Sequence, residues 1–262
     1  MDRRGVIRAA LLASAGTVAL GCQGSEPRRS PTAGPSEAGT ERQRDPSSEP
    51  DPTTPVPEPE PAPEPEPAPT RAIEVVCRDA LGLAAARTGA RPHTISRVTL
   101  HHTAVALSAV SEAPGRLRGH QRFHHEQGWA DIAYHYGVDL AGNVYELRDP
   151  ATAGDTFTDY DPASHLLIVC EGDYDQQTPT DAMLGAVADL VAHGAMRYGY
   201  PVDELVGHRD VATSACPGAA LHEHLPELRD QAARRVADAT LELRSLCGAE
   251  GRDRVDAIEA GA

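Results

Sequence analysis

The chain has 262 residues, 22 of them proline, and a formal net charge of −15 at pH 7. This length is sufficient for one domain of ordinary size with a single core, beside terminal segments. The negative charge argues against nucleic acid as a partner, because binding to a phosphate backbone requires clustered positive charge.

The first 22 residues have the pattern of an export signal. A short basic region over residues 2–8 precedes an apolar run from Ala9 to Leu20, which is too short to span a bilayer as a permanent helix. Two arginines followed by apolar residues are also typical of a twin-arginine signal. Residues 19–22 are similar to a bacterial lipobox, in which the cysteine is lipidated. We therefore expect an exported bacterial lipoprotein of the cell envelope, on its periplasmic side or at the outer membrane, anchored through Cys22. The alternative is ordinary cleavage nearby, which would leave Cys22 as an unused thiol.

Residues 23–72 are predicted to be a disordered linker rich in proline and glutamate. Proline occupies alternate positions from Pro55 to Pro69, which removes backbone donors and favours an extended polyproline II conformation. At roughly 3.1 Å per residue, this repeat alone would reach about 45 Å. The segment is either a stiff spacer that holds the next domain away from a membrane or a passive linker.

Residues 73–247 are predicted to form one α/β domain, with a flexible acidic tail over 248–262. Strands that alternate with helices predict a central mixed β-sheet flanked by helices. The continuous apolar run Leu166–Cys170 is typical of a fully buried strand. In chain order we predict strand 98–102, helix 114–127, strands 132–138, 144–147 and 166–170, a helix with Thr178 as N-cap, Pro179 at its first position and Gly199 at its end, strand 205–206 and helix 226–246.

The predicted domain contains two residues that can bind one metal ion from a single loop. His208 and Cys216 are separated by seven residues, and the pair His101-His102 offers a third ligand. Two histidines and one cysteine leave one position of a tetrahedral zinc ion open, which is the layout of a catalytic site. Adjacent strand residues point to opposite faces, so only one histidine of the pair can join the metal, and periodicity does not choose between them.

The other cysteines of the domain have different expectations. If Cys216 binds a metal, Cys77 and Cys247 flank the domain and remain to form a disulfide in an oxidising compartment. Cys170 lies in an apolar run and is expected to be a buried thiol.

Five motifs occur in one order between Ser96 and His224. They are His101–Ala104, Gly128–His135, Gly142–Glu146, Glu171–Tyr174, and Gly207–Asp210 with Ala215–Gly218. This combination resembles the zinc amidase family that includes the peptidoglycan recognition proteins and the bacteriophage lysozyme-type amidases. The resemblance implies an N-acetylmuramoyl-L-alanine amidase, which cuts the amide between N-acetylmuramic acid and the L-alanine of the stem peptide.

The resemblance also implies roles for individual residues. It makes His101 the metal ligand beside His208 and Cys216, with His102 in the core. A matching tyrosine, Tyr134, would face the cleft and assist the attacking water or stabilise the oxyanion.

The branches of the family differ at the positions of two further residues. In one branch of the family a glutamate at the position of Glu171 acts as general base, and the division of work between Glu171 and Tyr134 stays open. Ser214 occupies a position usually held by Lys or Thr; it can donate a hydrogen bond to the oxyanion but carries no charge.

The resemblance thus predicts a Zn²⁺-dependent enzyme that acts as a monomer on peptidoglycan and its muropeptides. A non-catalytic peptidoglycan-binding module tethered to the membrane is the alternative. In the family such modules usually lack a metal ligand, whereas this chain has all three. A zinc peptidase is disfavoured because the His-Glu-x-x-His motif is absent from the sequence.

Overall fold

The computed structural model describes residues 69–261 of the chain. The predicted export signal, the lipidation site Cys22 and the predicted linker up to residue 68 lie outside this range. Within it, none of the helices has both the length and the apolar character needed to cross a bilayer.

Seven strands form one mixed sheet in the order β6-β2-β5-β3-β4-β1-β7. Neighbouring strands are parallel except for the antiparallel pair β3 and β4. The predicted fold class, a mixed sheet flanked by helices, is confirmed. The strands are β1 (Thr70–Val76), β2 (Arg97–His102), β3 (Tyr136–Val138), β4 (Val144–Glu146), β5 (His165–Cys170), β6 (Leu205–Gly207) and β7 (Thr240–Leu246).

Helices cover both faces of the sheet, and each face has its own hydrophobic core. One core joins the sheet to α2 and α5, and the other joins it to α1 and α6. Because side chains alternate along a strand, β5 contributes Ile168 and Cys170 to the first core and Val169 to the second. The helices are α1 (Ala113–Glu126), α2 (Asp181–Tyr198), α3 (His208–Val211), α4 (Ala219–Glu223), α5 (Leu225–Asp238) and α6 (Gly248–Glu259).

The prediction of one final helix over 226–246 was wrong. Helix α5 ends at Asp238, and residues 240–246 form β7, which pairs with β1 from Thr70↔Thr240 to Val76↔Leu246. The domain therefore begins at Thr70, inside the segment predicted as linker. Leu241 and Leu243 do alternate with charged residues as in a strand, but the partner that pairs with them lies about 170 residues upstream.

The flexible tail predicted over 248–262 was also wrong, because residues 248–259 form α6. Val255 and Ile258 are buried in the core that α1 shares with the sheet. Gly251 lets the helix approach closely, since a Cβ there would lie 2.6 Å from the Cβ of Ala80. The apolar residues of this segment are few, but Val255 and Ile258, three positions apart on the helix, both face this core.

The start of α2 lies two residues later than predicted. Thr180, not Thr178, is the N-cap, and its side chain accepts a hydrogen bond of 3.2 Å from the backbone N–H of Met183. Gly199 ends the helix in the left-handed conformation, as predicted. Similarly, only residues 136–138 of the predicted strand 132–138 are paired as a strand.

A disulfide joins the chain segments that follow β1 and β7, the two neighbouring strands at one end of the sheet. Cys77 and Cys247 follow strands that lie side by side and parallel, so their Cα atoms are 5.0 Å apart. The predicted pairing is confirmed, and Cys170 is a buried free thiol, as expected.

Removal of this disulfide is expected to destabilise the domain strongly. The bond closes a loop with a sequence separation of 170 residues, and loss of such a cross-link typically costs about 2–5 kcal/mol, because the unfolded chain gains conformational freedom. The double variant Cys77→Ala/Cys247→Ala should therefore unfold at a clearly lower temperature in a calorimeter. Reductant should lower the melting temperature of the wild-type protein and leave that of the variant unchanged. Equal melting temperatures of the two oxidised proteins would contradict the prediction.

Candidate active site

Three potential metal ligands meet where β2 and β6 end. Leu100 of β2 pairs with Gly207 of β6, so the residues that follow them in the chain, His101 of β2 and His208 at the start of α3, are neighbours. Their ring centroids are 4.6 Å apart. Cys216 Sγ lies 3.6 Å from His101 Nδ1. One ligand atom from each of the three residues lies within 4.8 Å of the others.

The sheet register explains why His101, and not His102, joins this group. His101 is in register with Val169 and therefore points to the face that α1 and α6 cover. His102 is in register with Cys170 on the opposite face, where its Nδ1 accepts a hydrogen bond of 3.2 Å from the backbone N–H of Tyr174.

The loop that carries Cys216 is held in place from several sides. The backbone N–H of His102 donates to Cys216 Sγ over 3.3 Å, and that of Arg209 donates to the Cys216 carbonyl over 2.7 Å. Gly218 has φ +88°, and a Cβ there would lie 2.9 Å from the backbone nitrogen of Asp175. A larger residue would therefore displace the loop and with it the Cys216 thiol.

Burial favours the neutral forms of His101, His208 and Cys216. Burial, followed by the proximity of other histidines, lowers the pKa of His101 well below its ordinary value, and burial also lowers the pKa of His208. Both imidazoles are therefore neutral at pH 7, the state that can bind a metal ion. Burial raises the pKa of the Cys216 thiol to about 12, against the weaker lowering effects of the His102 N–H and Arg209.

The outer nitrogens of the two histidines contact a loop that the sequence did not single out. Thr158 Oγ1 lies 2.7 Å from His208 Nε2, and the Tyr160 hydroxyl lies 3.5 Å from His101 Nε2. Such contacts orient imidazole ligands and select their tautomer. No periodic pattern marks residues 155–161, so the sequence carried no signal for these two contacts.

A cavity of about 420 Å³ opens beside the three residues. Tyr134 lines it, with its ring centroid 5.2 Å from that of His101. Burial raises the pKa of Tyr134 above its ordinary value, so its hydroxyl stays protonated and can donate a hydrogen bond. Ser214 also lines the cavity, and its Oγ accepts a hydrogen bond of 3.1 Å from the backbone N–H of Cys216.

Glu171 follows β5 at the predicted strand end, but its side chain does not line this cavity. The residue is completely buried. Its Oε2 lies 3.1 Å from Arg116 Nε, and its Oε1 lies 3.1 Å from His120 Nε2. His120, in contrast, lines the cavity. The carboxylate is thus separated from the cavity by a histidine that the sequence analysis did not single out.

One wall of the cavity consists mainly of aromatic and histidine side chains. His120, Phe123 and His124 come from one face of α1, since residues three and four apart on a helix are neighbours. Trp129 and Phe157 complete the wall, with ring centroids 4.3 Å apart. The spacing along α1 was visible in the sequence, whereas Phe157 comes from an irregular segment.

The chain is similar to known proteins over the part that contains these residues. A family profile described as N-acetylmuramoyl-L-alanine amidase matches residues 91–219. An N-acetylmuramoyl-L-alanine amidase of Sus scrofa is 35% identical over 132 residues, which are 48% of this chain and 22% of the relative. Peptidoglycan recognition protein 1 of Rattus norvegicus is 34% identical over 133 residues, 48% of this chain and 70% of that protein. The chain thus spans a minor part of the pig relative and most of the rat relative.

A solved structure has a similar fold. Peptidoglycan recognition protein LE, in complex with tracheal cytotoxin, a monomeric diaminopimelic acid-type peptidoglycan, aligns with a TM-score of 0.53 and 26% sequence identity. The alignment covers 58% of this chain and 92% of that one.

Proposed function

The chain belongs to the N-acetylmuramoyl-L-alanine amidase family that also contains the peptidoglycan recognition proteins, and from this premise we propose that it is a zinc-dependent peptidoglycan amidase. Its reaction would be hydrolysis of the amide between N-acetylmuramic acid and the L-alanine of the stem peptide. The observation that carries the proposal is the meeting of His101, His208 and Cys216 beside one cavity.

The chemistry of these three donors fits zinc. Two neutral imidazoles and a sulfur atom are ligands that Zn²⁺ prefers, and three protein ligands leave a coordination position for water or substrate. The buried thiol has a raised pKa when it stands alone, and a divalent cation beside it would favour its thiolate. When bound, zinc would supply Lewis acidity, which lowers the pKa of water and polarises the scissile carbonyl.

The side chains around the cavity supply hydrogen bonds and an apolar surface. The protonated Tyr134 hydroxyl donates to the carbonyl oxygen of the substrate as negative charge develops there. Ser214 Oγ already accepts from Cys216 N–H, and its own proton is left for a weaker, uncharged contact. The aromatic wall around Trp129 and Phe157 offers the substrate an apolar surface beside the three ligand residues.

A peptidoglycan-binding module without catalysis is the second candidate, because the family also contains recognition proteins. The complete set of His101, His208 and Cys216 favours the enzyme. To test this, purified protein is incubated with peptidoglycan, and the products are identified by mass spectrometry. An amidase releases stem peptides that begin with L-alanine and leaves glycan strands with free lactyl groups. Retention on peptidoglycan without new ends would support the binding module instead.

We propose muropeptides as the substrate class and a monomer as the active form. The structural relative in complex with tracheal cytotoxin supports a muropeptide ligand. An exported protein would meet this substrate in the cell envelope, where the disulfide between Cys77 and Cys247 is stable.

Lipidation of Cys22 is proposed to attach the protein to a membrane. Replacement of Cys22 by alanine removes the only sulfur of the lipobox-like sequence at residues 19–22. We expect the variant to move from the membrane fraction to the soluble fraction, because a protein without its acyl chains loses about 0.8 kcal/mol of membrane affinity per buried methylene. Immunoblots of fractionated cells measure the distribution. Replacement of the buried Cys170 by alanine is the control, and an unchanged distribution of the Cys22 variant would exclude lipidation there.

A further inference from the structure

Glu171 is a fully buried carboxylate that faces two basic side chains. Burial of a charge is costly unless the charge is paired. Arg116 Nε lies 3.1 Å from Oε2, and the same guanidinium donates to the carbonyls of Ala106 and Val105 over 2.9 and 2.6 Å. The backbone therefore fixes Arg116, and Arg116 fixes one oxygen of the carboxylate.

The other carboxylate oxygen, Oε1, lies beside His120. His120 Nε2 lies 3.1 Å from Glu171 Oε1, and neither atom has a well-aligned hydrogen-bond partner within residues 69–261. A carboxylate can only accept, so it favours the tautomer with the proton on Nε2. Nδ1 is then the unprotonated nitrogen of a histidine that lines the cavity.

The neighbouring histidine of the wall has a different role. His124 Nδ1 accepts a hydrogen bond of 3.2 Å from the backbone N–H of Ala133, and its ring packs on Trp129 at 4.7 Å. Burial lowers the pKa of His124 to about 4, so it stays neutral. The side chain of His120 is 27% exposed and has the buried carboxylate behind it. Of the two, His120 is the histidine whose ring lies beside a buried carboxylate.

We propose that His120 transfers the proton in the amidase reaction and that Glu171 is a positioning residue that acts through it. This inference rests on the proposed function. As the water oxygen bonds to the amide carbon, one water proton moves to His120 Nδ1. The same proton then moves to the departing nitrogen while the C–N bond breaks. One water molecule is consumed, a carboxylic acid and a free amine form, and His120 returns to its neutral state. Glu171 takes part in none of these proton transfers.

A double-mutant cycle tests this coupling. We expect His120→Asn and Glu171→Gln each to lower kcat by about 10²- to 10³-fold, within the usual range for loss of acid–base catalysis, with little change in KM or zinc content. Because Glu171 acts through His120, the double variant should be no slower than His120→Asn within about threefold. A further tenfold loss in the double variant would show that Glu171 acts directly, and near-normal kcat of His120→Asn would exclude His120. Both results contradict the inference.

The variants also need to keep the fold. Glu171→Asp serves where Glu171→Gln does not fold, since it keeps a buried negative charge for Arg116 and shortens the reach of the carboxylate towards His120 by one methylene. Its kcat should fall at least about tenfold in the wild-type background and remain unaffected in the His120→Asn background. A further loss in that background would contradict the inference. His193→Gln is the matched control, because His193 lies on α2, where Nδ1 contacts the carbonyl of Leu241.

The turnover of the wild-type protein is measured first, because it tests the proposed amidase function separately from the role of His120. If the zinc-loaded wild-type protein does not cleave muropeptides, the proposed function fails and this inference with it. If the wild-type protein cleaves them and His120→Asn does so equally fast, only the role of His120 fails.

Discussion

Replacement of Cys216 by serine is expected to remove most of the bound zinc and to lower amidase turnover by about 10³-fold or more. A serine hydroxyl is a much weaker zinc ligand than a thiolate, and it stays protonated at neutral pH. A 10³-fold lower turnover corresponds to a loss of about 4 kcal/mol of transition-state stabilisation. This is a moderate value for the loss of a metal ion that acts as a Lewis acid. His208→Ala should have the same effect, because it removes a second ligand of the same group. Zinc content is measured by elemental analysis, and turnover by release of stem peptides.

The control for this prediction is the other free cysteine within residues 69–261. Cys170 is fully buried on the opposite face of β5, so Cys170→Ala should keep its zinc. Wild-type protein should bind close to one zinc ion per chain. Full zinc occupancy in Cys216→Ser or His208→Ala would mean that the metal, if any, binds elsewhere.

Replacement of Tyr134 by phenylalanine is expected to lower kcat by about 10²- to 10³-fold, the usual cost of one missing oxyanion donor. Phenylalanine keeps the ring that packs against His101, so removal of the hydroxyl should leave the fold and the zinc content intact. Steady-state kinetics on a defined muropeptide, with zinc content measured in parallel, check the prediction. Tyr198→Phe is the matched control, since Tyr198 lies at the end of α2 and does not line the cavity.

Ser214 is the second residue of the cavity whose hydroxyl could contact the oxyanion. Ser214 carries no charge and already binds the backbone of Cys216, so Ser214→Ala should cost less than Tyr134→Phe, about tenfold or below. A larger loss of kcat in Ser214→Ala, or near-normal kcat in Tyr134→Phe, would show that a group other than Tyr134 makes the main contact with the oxyanion. Loss of zinc from Tyr134→Phe would instead show that this tyrosine supports the metal site.

The correct sequence-based predictions rested on signals that are local in the chain. The apolar runs at 98–102 and 166–170 are central strands, because a segment buried on both faces must be apolar along its length. Gly199 ends α2 because the left-handed conformation favours glycine. The spacing of His208 and Cys216 predicted that both reach one point, since both lie on one short loop.

The predictions that failed depended on partners far along the chain. The strand pair β1 and β7 joins segments about 170 residues apart, and neither segment by itself identifies the other as its partner. Helix α6 has few apolar residues, and only the surface formed by α1 and the sheet makes Val255 and Ile258 core residues. The pairing of such segments is decided by the whole sheet.

The sequence by itself determined the family, the mixed sheet and the residue types of the candidate metal site. Strand periodicity left two adjacent histidines open and the resemblance favoured His101, while the tertiary structure supplies the physical reason, because the register of β2 with β5 sets the face to which each side chain points. It also buried the Glu171 carboxylate and placed His120 between it and the cavity. A sequence specifies which charges are present, but the packing of α1 on the sheet decides which of them can reach a substrate.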